Sequence, residues 1–319
     1  MVKIKIFVIL PPLPNRTRGL KERDYSPFCH KRASYKAEYF PLPTGVELLT
    51  VAFTPPEPSD NSVILFLPGL VSIIENFRET LMELTRTYEV FYVETREKGS
   101  ARVNSHHMFS VEEITSDIVH FAENKFPEGI PYVIVGYSLG ATIAAESFSH
   151  LTSRPEAIIL IEPNATFPFG GGLKLLSWFA PYIYKPLKPL LKWYMRSFII
   201  DTNADLEMYL IYCRNIDTAI PERLGAAVRQ LGSYRMNECL DKIDVPSLVV
   251  GTSKDRLHNH DECVEIASRI KGSCYLDMAD NTRTHSAGMA NEIRKFISPQ
   301  VRRPAQEDQP YQGNSLQPF

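Results

Sequence analysis

The amino-acid sequence lacks the features that define several large classes of protein. Its five cysteines are scattered, odd in number and without paired spacing, which argues against a disulfide framework and against a cysteine-based metal site. No apolar run approaches the length of a transmembrane helix. With 35 basic and 37 acidic residues, the net charge of −2 offers no basic surplus for nucleic acid. We therefore expect a globular protein with no nucleic-acid partner and no integral membrane segment.

The first residues superficially resemble a signal peptide. Lys3 and Lys5 precede a short apolar run at residues 6–10. The run is too short, two prolines follow it at once, and no small-residue cleavage site comes after them. We interpret residues 1–30 as an N-terminal extension and expect a cytoplasmic protein.

Residues 136–140 read Gly-Tyr-Ser-Leu-Gly, a G-x-S-x-G pattern between a predicted strand and a predicted helix. The β-branched and aromatic run at 131–135 indicates a buried strand, and the small and apolar run at 141–148 indicates a helix. A strand that turns sharply into a helix raises the serine above the sheet edge, and the tight turn needs small residues at Gly136 and Gly140. Ser138 is therefore the candidate nucleophile.

Two later strands lead to groups that could activate this serine. The apolar run 247–253 predicts a buried parallel strand, and Asp255 follows at its carboxyl end, where catalytic groups of open α/β sheets collect. His285 follows the next predicted strand, 272–278, ahead of the terminal helix. A serine hydroxyl needs an imidazole as its base and a carboxylate to orient that imidazole. We therefore predict a triad of Ser138, Asp255 and His285.

The attacked carbonyl becomes an oxyanion, which needs preorganised N–H donors. Leu139, directly after the nucleophile, supplies the first backbone N–H. The predicted strand 62–67 ends in Pro68-Gly69-Leu70-Val71, so Leu70 is the candidate for the second donor and Val71 is the substitute.

About residues 35–298 resemble the α/β-hydrolase superfamily, in the strand before Pro68-Gly69, in the elbow, and in the acid and base loops. Many members have His-Gly where this chain has Pro68-Gly69, and many have Asp-x-Arg-Gly-x-Gly-x-Ser where residues 94–100 read Glu-Thr-Arg-Glu-Lys-Gly-Ser. The resemblance implies an α/β-hydrolase fold, with a mostly parallel central sheet flanked by helices and an inserted helical cap after the sixth strand.

The same resemblance sets the predicted domain boundaries. The α/β core covers residues 31–166 and 241–298, because strands and helices alternate there. Residues 167–240 break the alternation and form the cap. Residues 299–319 are polar and contain prolines, as is typical of a disordered tail.

Other residues compete for the catalytic roles. Glu162 is the alternative acid, because some relatives carry theirs after the sixth strand. His258 and His260 lie too near Asp255 in sequence to replace His285 as its partner. The histidines form no metal-ligand spacing either, so no metal is expected.

The predicted cap is rich in aromatic side chains. Trp178 and Phe179, with Tyr137 and Val71 of the core, could line an apolar acyl pocket over Ser138. Packing of the cap onto the core is the interpretation that we favour for most of the seven clustered aromatics. These are Trp178, Phe179, Tyr182, Tyr184, Trp193, Tyr194 and Phe198. Basic residues interleave with them, which allows a membrane-surface helix. The prolines of this segment break the helical period, however, and favour a solvated basic face.

The residues and the resemblance together predict a serine hydrolase that cleaves an ester or thioester of a small-molecule acyl substrate through an acyl-enzyme, without a cofactor. Acyl transfer, carbon–carbon bond hydrolysis and cofactor-free peroxidase chemistry could use the same triad. A non-catalytic binding protein that retains the fold is the alternative of another class. The oligomeric state stays open.

Overall fold

A nine-stranded sheet forms the centre of the protein. The computed structural model describes residues 23–57, 61–103, 108–167, 169–200, 202, 205–236, 238–254 and 258–298 and the backbone of 317–318. The strand order is β1-β2-β4-β3-β5-β6-β7-β8-β9, and β3 to β8 run parallel. β1, β2 and the two-residue β9 pair antiparallel with their neighbours. The strands are β1 Ser34–Pro41, β2 Glu47–Thr54, β3 Val63–Leu67, β4 Val90–Val93, β5 Tyr132–Tyr137, β6 Ala157–Ile161, β7 Ser247–Gly251, β8 Cys274–Asp277 and β9 Gln317–Pro318.

Helices cover both faces of this sheet. They are α1 Arg78–Leu84, α2 Val111–Lys125, α3 Leu139–Phe148, α4 Gly171–Ser177, α5 Ala180–Tyr194, α6 Leu206–Thr218, α7 Pro221–Leu231, α8 His260–Arg269, α9 Asn281–Thr284 and α10 Ala287–Ile297. Each face has its own apolar core, and α2 and α3 lie in one while α1 and α10 lie in the other. The central strands β5, β6 and β7 are buried along their whole length because both of their faces are covered.

The predicted fold class is confirmed, since the mostly parallel sheet flanked by helices is that of an α/β-hydrolase. The alternation of short β-branched runs with helical periods carried this prediction. The domain boundaries stay a prediction. Tyr25 and Phe28, which fall in the predicted N-terminal extension, are buried against the sheet with Phe53 and Phe77.

The segment between β6 and β7 carries α4 to α7 and, among its described residues, no strand of the sheet. α5 runs unbroken through Pro186 and Pro189, so the expectation that prolines interrupt the helical period here is wrong. Pro181 lies in the first turn of α5, where a backbone N–H would have no acceptor within the helix, so its absence costs no hydrogen bond. Both internal prolines are exposed, so the backbone groups that they leave unpaired face water. No helix in the described part of the chain is long and apolar enough to cross a membrane.

A fully buried arginine ties the loop after β4 to α2. Arg96 donates from Nε and Nη2 to the two carboxylate oxygens of Asp117, both at 2.5 Å, and from Nη1 to the Met108 carbonyl at 3.0 Å. Arg96 is fully buried and Asp117 is nearly so, whereas Glu113, which also accepts from Nη1, is half-exposed. This bidentate pair anchors the loop after β4.

We expect Asp117→Ala to lower the free energy of unfolding by about 3–5 kcal/mol, because it leaves the buried guanidinium without its main counter-charge. Urea denaturation followed by circular dichroism measures this loss. Glu113→Ala is the matched control on the same arginine, and it should cost less than about 1 kcal/mol because water screens that pair. Equal losses in the two variants would contradict the assignment.

Candidate active site

Backbone strain is concentrated at the carboxyl edge of the parallel sheet. Among the described residues, four that are not glycine have positive φ: Val71 at 64°, Ser138 at 50°, Glu162 at 52° and Ala279 at 67°. They follow β3, β5, β6 and β8 respectively. Such conformations persist only where the surrounding structure enforces them, and they cluster at functional sites. These four residues therefore mark the carboxyl edge of the sheet as the location of a candidate site.

The turn from β5 into α3 is as tight as the G-x-S-x-G pattern predicts. A Cβ on Gly140 would lie 2.2 Å from the carbonyl oxygen of Leu67, and a Cβ on Gly136 would lie 2.4 Å from the carbonyl oxygen of Gly140. Ser138, between them, has φ 50° and ψ −115°, and its N–H donates to the Ile161 carbonyl of β6 at 2.8 Å. These contacts fix Ser138 at the point where β5 ends and α3 begins.

A histidine lies within hydrogen-bonding distance of the serine hydroxyl. Nε2 of His258 is 3.1 Å from Oγ of Ser138. His258 lies in the loop between β7 and α8, and its side chain is 15% exposed. With the proton on Nδ1, Nε2 can accept the serine proton, as a general base must.

A buried carboxylate faces the other nitrogen of this ring. Oε2 of Glu162 lies 3.6 Å from Nδ1 of His258, slightly beyond hydrogen-bonding distance. Catalytic contacts of this kind are often loose without substrate and tighten when it binds. Oε1 of Glu162 accepts from the hydroxyl of Thr252 at 2.8 Å, and the carboxylate is almost fully buried. The acid that the resemblance offered as an alternative thus lies beside the imidazole that contacts the nucleophile.

A second polar group approaches the serine from the loop after β6. Nδ2 of Asn164 donates to Oγ of Ser138 at 3.1 Å. The backbone of Asn164 is held by Thr142 on α3, whose hydroxyl accepts from Asn164 N–H at 3.2 Å and donates to its carbonyl at 3.0 Å. Sequence reasoning missed Asn164, although its place two residues after Glu162 on a strand-end loop was a usable signal.

The predicted oxyanion donors lie next to the nucleophile. A Cβ on Gly69 would be 3.1 Å from Cβ of Ser138, and Ser72 N–H donates to the Gly69 carbonyl at 3.2 Å, which closes a turn over Leu70 and Val71. The positive φ of Val71 is the conformation that a type II turn needs at its third position.

Two features hold these donors in position. The ammonium group of the buried Lys98 donates to the same Gly69 carbonyl at 2.5 Å, which holds the turn in place. Leu139 is the first residue of α3, so its N–H belongs to the end of the helix that has no intrahelical acceptor.

The predicted base, His285, has surroundings that differ from those of His258. Nδ1 of His285 lies 3.0 Å from the carbonyl oxygen of Asn281 and 3.1 Å from the hydroxyl of Thr284. Its ring stacks on Phe77, with centroids 5.3 Å apart, and lies beside Tyr137. Asp255 lies outside the described residues. The catalytic roles of Asp255 and His285 therefore stay predictions.

The described residues offer no group of three or more histidine, cysteine or carboxylate side chains that could hold a metal ion. The groups that surround Ser138 are an imidazole, a carboxylate, a carboxamide and backbone N–H groups. This arrangement suits nucleophilic attack on a carbonyl followed by stabilisation of the oxyanion.

Comparison with known proteins gives the family. The sequence profile of the α/β-hydrolase family described as "Serine aminopeptidase, S33" matches residues 58–282, which is more than half of the chain. The chain belongs to this family. Membership supports hydrolase activity as the general reaction class of this α/β-hydrolase.

Solved structures share the fold at low sequence identity. A hydrolase from Pseudomonas aeruginosa PA01 has a TM-score of 0.69 and 14% identity over 82% of this chain and 98% of that one. An enol-lactonase from Burkholderia xenovorans has a TM-score of 0.67 and 14% identity, with coverages of 82% and 99%. A thermophilic esterase from Thermogutta terrifontis has a TM-score of 0.67 and 17% identity, with coverages of 84% and 99%. Curated protein sequences give no significant match.

The side chains predicted to line an acyl pocket have unlike surroundings in this α/β-hydrolase. Tyr137 is buried, its hydroxyl donates to the Thr284 carbonyl at 3.0 Å, and burial raises the pKa of its phenol well above the usual value. Val71 lies partly buried in the turn beside Ser138. Trp178 and Phe179 are more than half exposed. Their contribution to a pocket stays a prediction.

We predicted that most of the seven clustered aromatics of the cap pack onto the core. Only one of these seven side chains is buried. Tyr184 is buried, and its hydroxyl donates to the Ile216 carbonyl at 2.8 Å. The other six are exposed: Trp178, Phe179, Tyr182, Trp193, Tyr194 and Phe198. Composition could not separate packed from exposed aromatics, because both occur on the same helix.

We expect Gly140→Ala to lower the free energy of unfolding by at least ~3 kcal/mol, because the new methyl group would meet the Leu67 carbonyl at 2.2 Å. The same variant should lose reaction with a fluorophosphonate probe, since relief of the clash moves Ser138. Gly171→Ala is the control: nothing lies within 4 Å of its Cβ, and it should change stability by less than ~1 kcal/mol. Thermal denaturation separates the two, and a stable, reactive Gly140→Ala protein would contradict the elbow.

Proposed function

We propose that this protein is a serine hydrolase that cleaves an ester or thioester bond with a triad of Ser138, His258 and Glu162. The observation that carries the proposal is the contact of 3.1 Å between Ser138 Oγ and His258 Nε2, with the Glu162 carboxylate on the far side of the ring. The three residues follow β5, β6 and β7, which are neighbours in the sheet. Their chain order is serine, acid, histidine, as in other α/β-hydrolases.

In the proposed reaction, His258 Nε2 takes the proton of Ser138 as Oγ attacks the acyl carbonyl carbon. The carbonyl oxygen becomes an oxyanion beside the backbone N–H groups of Leu139 and Leu70, with Val71 N–H as the substitute for the latter. His258 then gives the proton to the leaving alcohol or thiol, which departs and leaves an acyl-enzyme. Water repeats the sequence, with His258 as base, and releases the carboxylic acid.

Glu162 orients the imidazole and stabilises it when it becomes protonated. Its carboxylate is almost fully buried, so its interaction with an imidazolium is weakly screened by water. The hydroxyl of Thr252 holds one carboxylate oxygen and leaves the other directed to His258. The positive φ of Glu162 supports a functional role, because a glutamate gains nothing locally from that conformation.

Asn164 completes the surroundings of the nucleophile. Its carboxamide donates to Ser138 Oγ, so it favours the serine oxygen as an acceptor when the proton has left. We propose that Asn164 positions Oγ for attack rather than serving as acid or base. An oxygen ester is the favoured substrate class, since the structural neighbours include an enol-lactonase and an esterase.

We expect Ser138→Ala, His258→Ala and Glu162→Gln each to lower kcat for a p-nitrophenyl acyl ester by roughly 10³-fold or more, because the triad acts as a unit. His285→Ala should lower kcat by less than about tenfold, since a histidine outside the triad leaves the proton transfer intact. Steady-state kinetics at neutral pH measures these changes. Circular dichroism of each variant checks that it is folded.

The opposite pattern would support the other triad. If His285→Ala and Asp255→Ala abolished activity while His258→Ala retained it, His285 would be the base that activates Ser138 and Asp255 would be the acid of the triad. Fluorophosphonate labelling with mass spectrometry gives an independent readout, because only an activated serine forms the adduct. An adduct on Ser138 in the wild type that is absent from Ser138→Ala separates an enzyme from a binding protein that retains the fold.

Product analysis separates the reactions that could share this triad. Hydrolysis releases the free acid at a rate that added alcohol or thiol does not divert. Acyl transfer would give the new ester or thioester in proportion to the acceptor. Aminoacyl arylamides belong in the same substrate panel because of the family's description, and preferential cleavage of them would assign a peptidase instead.

A further inference from the structure

The outward side of α4 and α5 presents large apolar side chains to solvent, and we call it the α4–α5 face. Leu175, Trp178, Tyr182, Leu190 and Trp193 are its most exposed members, each between 54% and 80% exposed. Single exposed apolar residues are normal on a protein surface, but several large ones along the same two helices mark an interaction site.

The helical repeat explains why this face exists. Along α5, Tyr182, Pro186, Leu190 and Trp193 follow the spacing of one helix side, and all four are exposed. The opposite side, with the buried Tyr184, packs on α6 and α7. α5 therefore has two apolar sides, and the folded chain covers only one of them.

The charge of this segment has one sign. Residues 163–200 contain five basic residues and no aspartate or glutamate. Lys188 and Lys192 reach back to Asp217 on α6, at 3.6 Å and 2.6 Å, and so belong to the packed side. Because these two lysines pair with α6, the outward side of α5 is left mainly to apolar groups.

Exposed cations border the apolar surface. Lys185 lies exposed on α5, and Arg196 lies exposed two residues after the end of α5. The guanidinium of Arg229 lies 4.1 Å over the ring of Trp178. Tryptophan and tyrosine with bordering cations form the pattern of a helix that lies in a bilayer surface, with its rings at headgroup level and its cations on lipid phosphates.

We propose that the α4–α5 face is a membrane-docking surface that binds the headgroup region of an anionic lipid bilayer. A second copy of the chain fits this surface less well, because two such faces would bring cations against cations with no acid on either segment. An anionic bilayer supplies both an apolar phase for the aromatic rings and negative charge for the border. This inference is independent of the proposed triad, and its failure would leave that triad untouched.

Tryptophan fluorescence of the full chain tests the proposal without a label. The chain has two tryptophans, Trp178 and Trp193, and both belong to the α4–α5 face. Vesicles of phosphatidylcholine with phosphatidylserine should shift the emission to shorter wavelength as the rings leave water. Pure phosphatidylcholine vesicles should give a much smaller shift, and added salt should reverse most of the effect.

Co-sedimentation of variants with the same vesicles assigns the surface. Leu190→Ser should weaken binding about tenfold through lost apolar burial. Lys185→Gln and Arg196→Gln should each weaken it roughly fivefold. Ile130→Ser is the matched control, because Ile130 is exposed on a loop ahead of β5 and is not part of the face. Ester hydrolysis in free solution should be unchanged in all of them.

Three results would overturn the proposal. The first is the absence of both a fluorescence shift and co-sedimentation with anionic vesicles for the folded wild type. The second is equal loss of binding in Leu190→Ser and Ile130→Ser. The third is a concentration-dependent dimer in analytical ultracentrifugation that Leu190→Ser disrupts, which would assign the face to a second copy of the chain.

Discussion

The close approach of the β5–α3 turn to the end of β3 is the constraint on which the candidate site depends. Gly140 lies so near the Leu67 carbonyl that no side chain fits between them. The tight turn requires a positive φ at Ser138. This backbone conformation costs about 1–3 kcal/mol of folding free energy, which the packing of the buried sheet around it offsets. The same approach brings Gly69, and with it the turn over Leu70 and Val71, against Ser138.

Strand order determines which groups can meet the serine. β6 and β7 are the next strands in the sheet, about 5 Å apart, so the loops that follow them reach the same point as the elbow. Glu162 lies at the end of β6, and His258 lies in the loop after β7. Glu162 is buried and has a positive φ, whereas His258 lies nearer to the surface. In the proposed mechanism, a substrate therefore reaches Ser138 and His258 while the Glu162 carboxylate stays shielded from water.

The sequence predicted the fold correctly because the fold depends on local patterns, and the prediction that Ser138 is the nucleophile rests on a local pattern as well. Short apolar runs rich in β-branched residues predicted the strands, and the two glycines around Ser138 predicted the elbow. The choice of histidine depended instead on which acid was assumed. His258 was set aside for its closeness to Asp255, an objection that disappears when Glu162 is the acid. The prediction that Pro186 and Pro189 interrupt the helix was wrong for a similar reason. The effect of a proline on a helix depends on which side of the helix faces water.

A crystal structure of the protein labelled on Ser138 with a small fluorophosphonate tests the central claim most directly. The adduct mimics the tetrahedral intermediate, so the groups that act on that intermediate must contact it. If the proposed triad is correct, His258 Nε2 lies within hydrogen-bonding distance of Ser138 Oγ, Glu162 lies within hydrogen-bonding distance of Nδ1, and the phosphoryl oxygen contacts the N–H groups of Leu139 and Leu70. An adduct contacted by His285, with Asp255 behind it, would contradict the proposed triad.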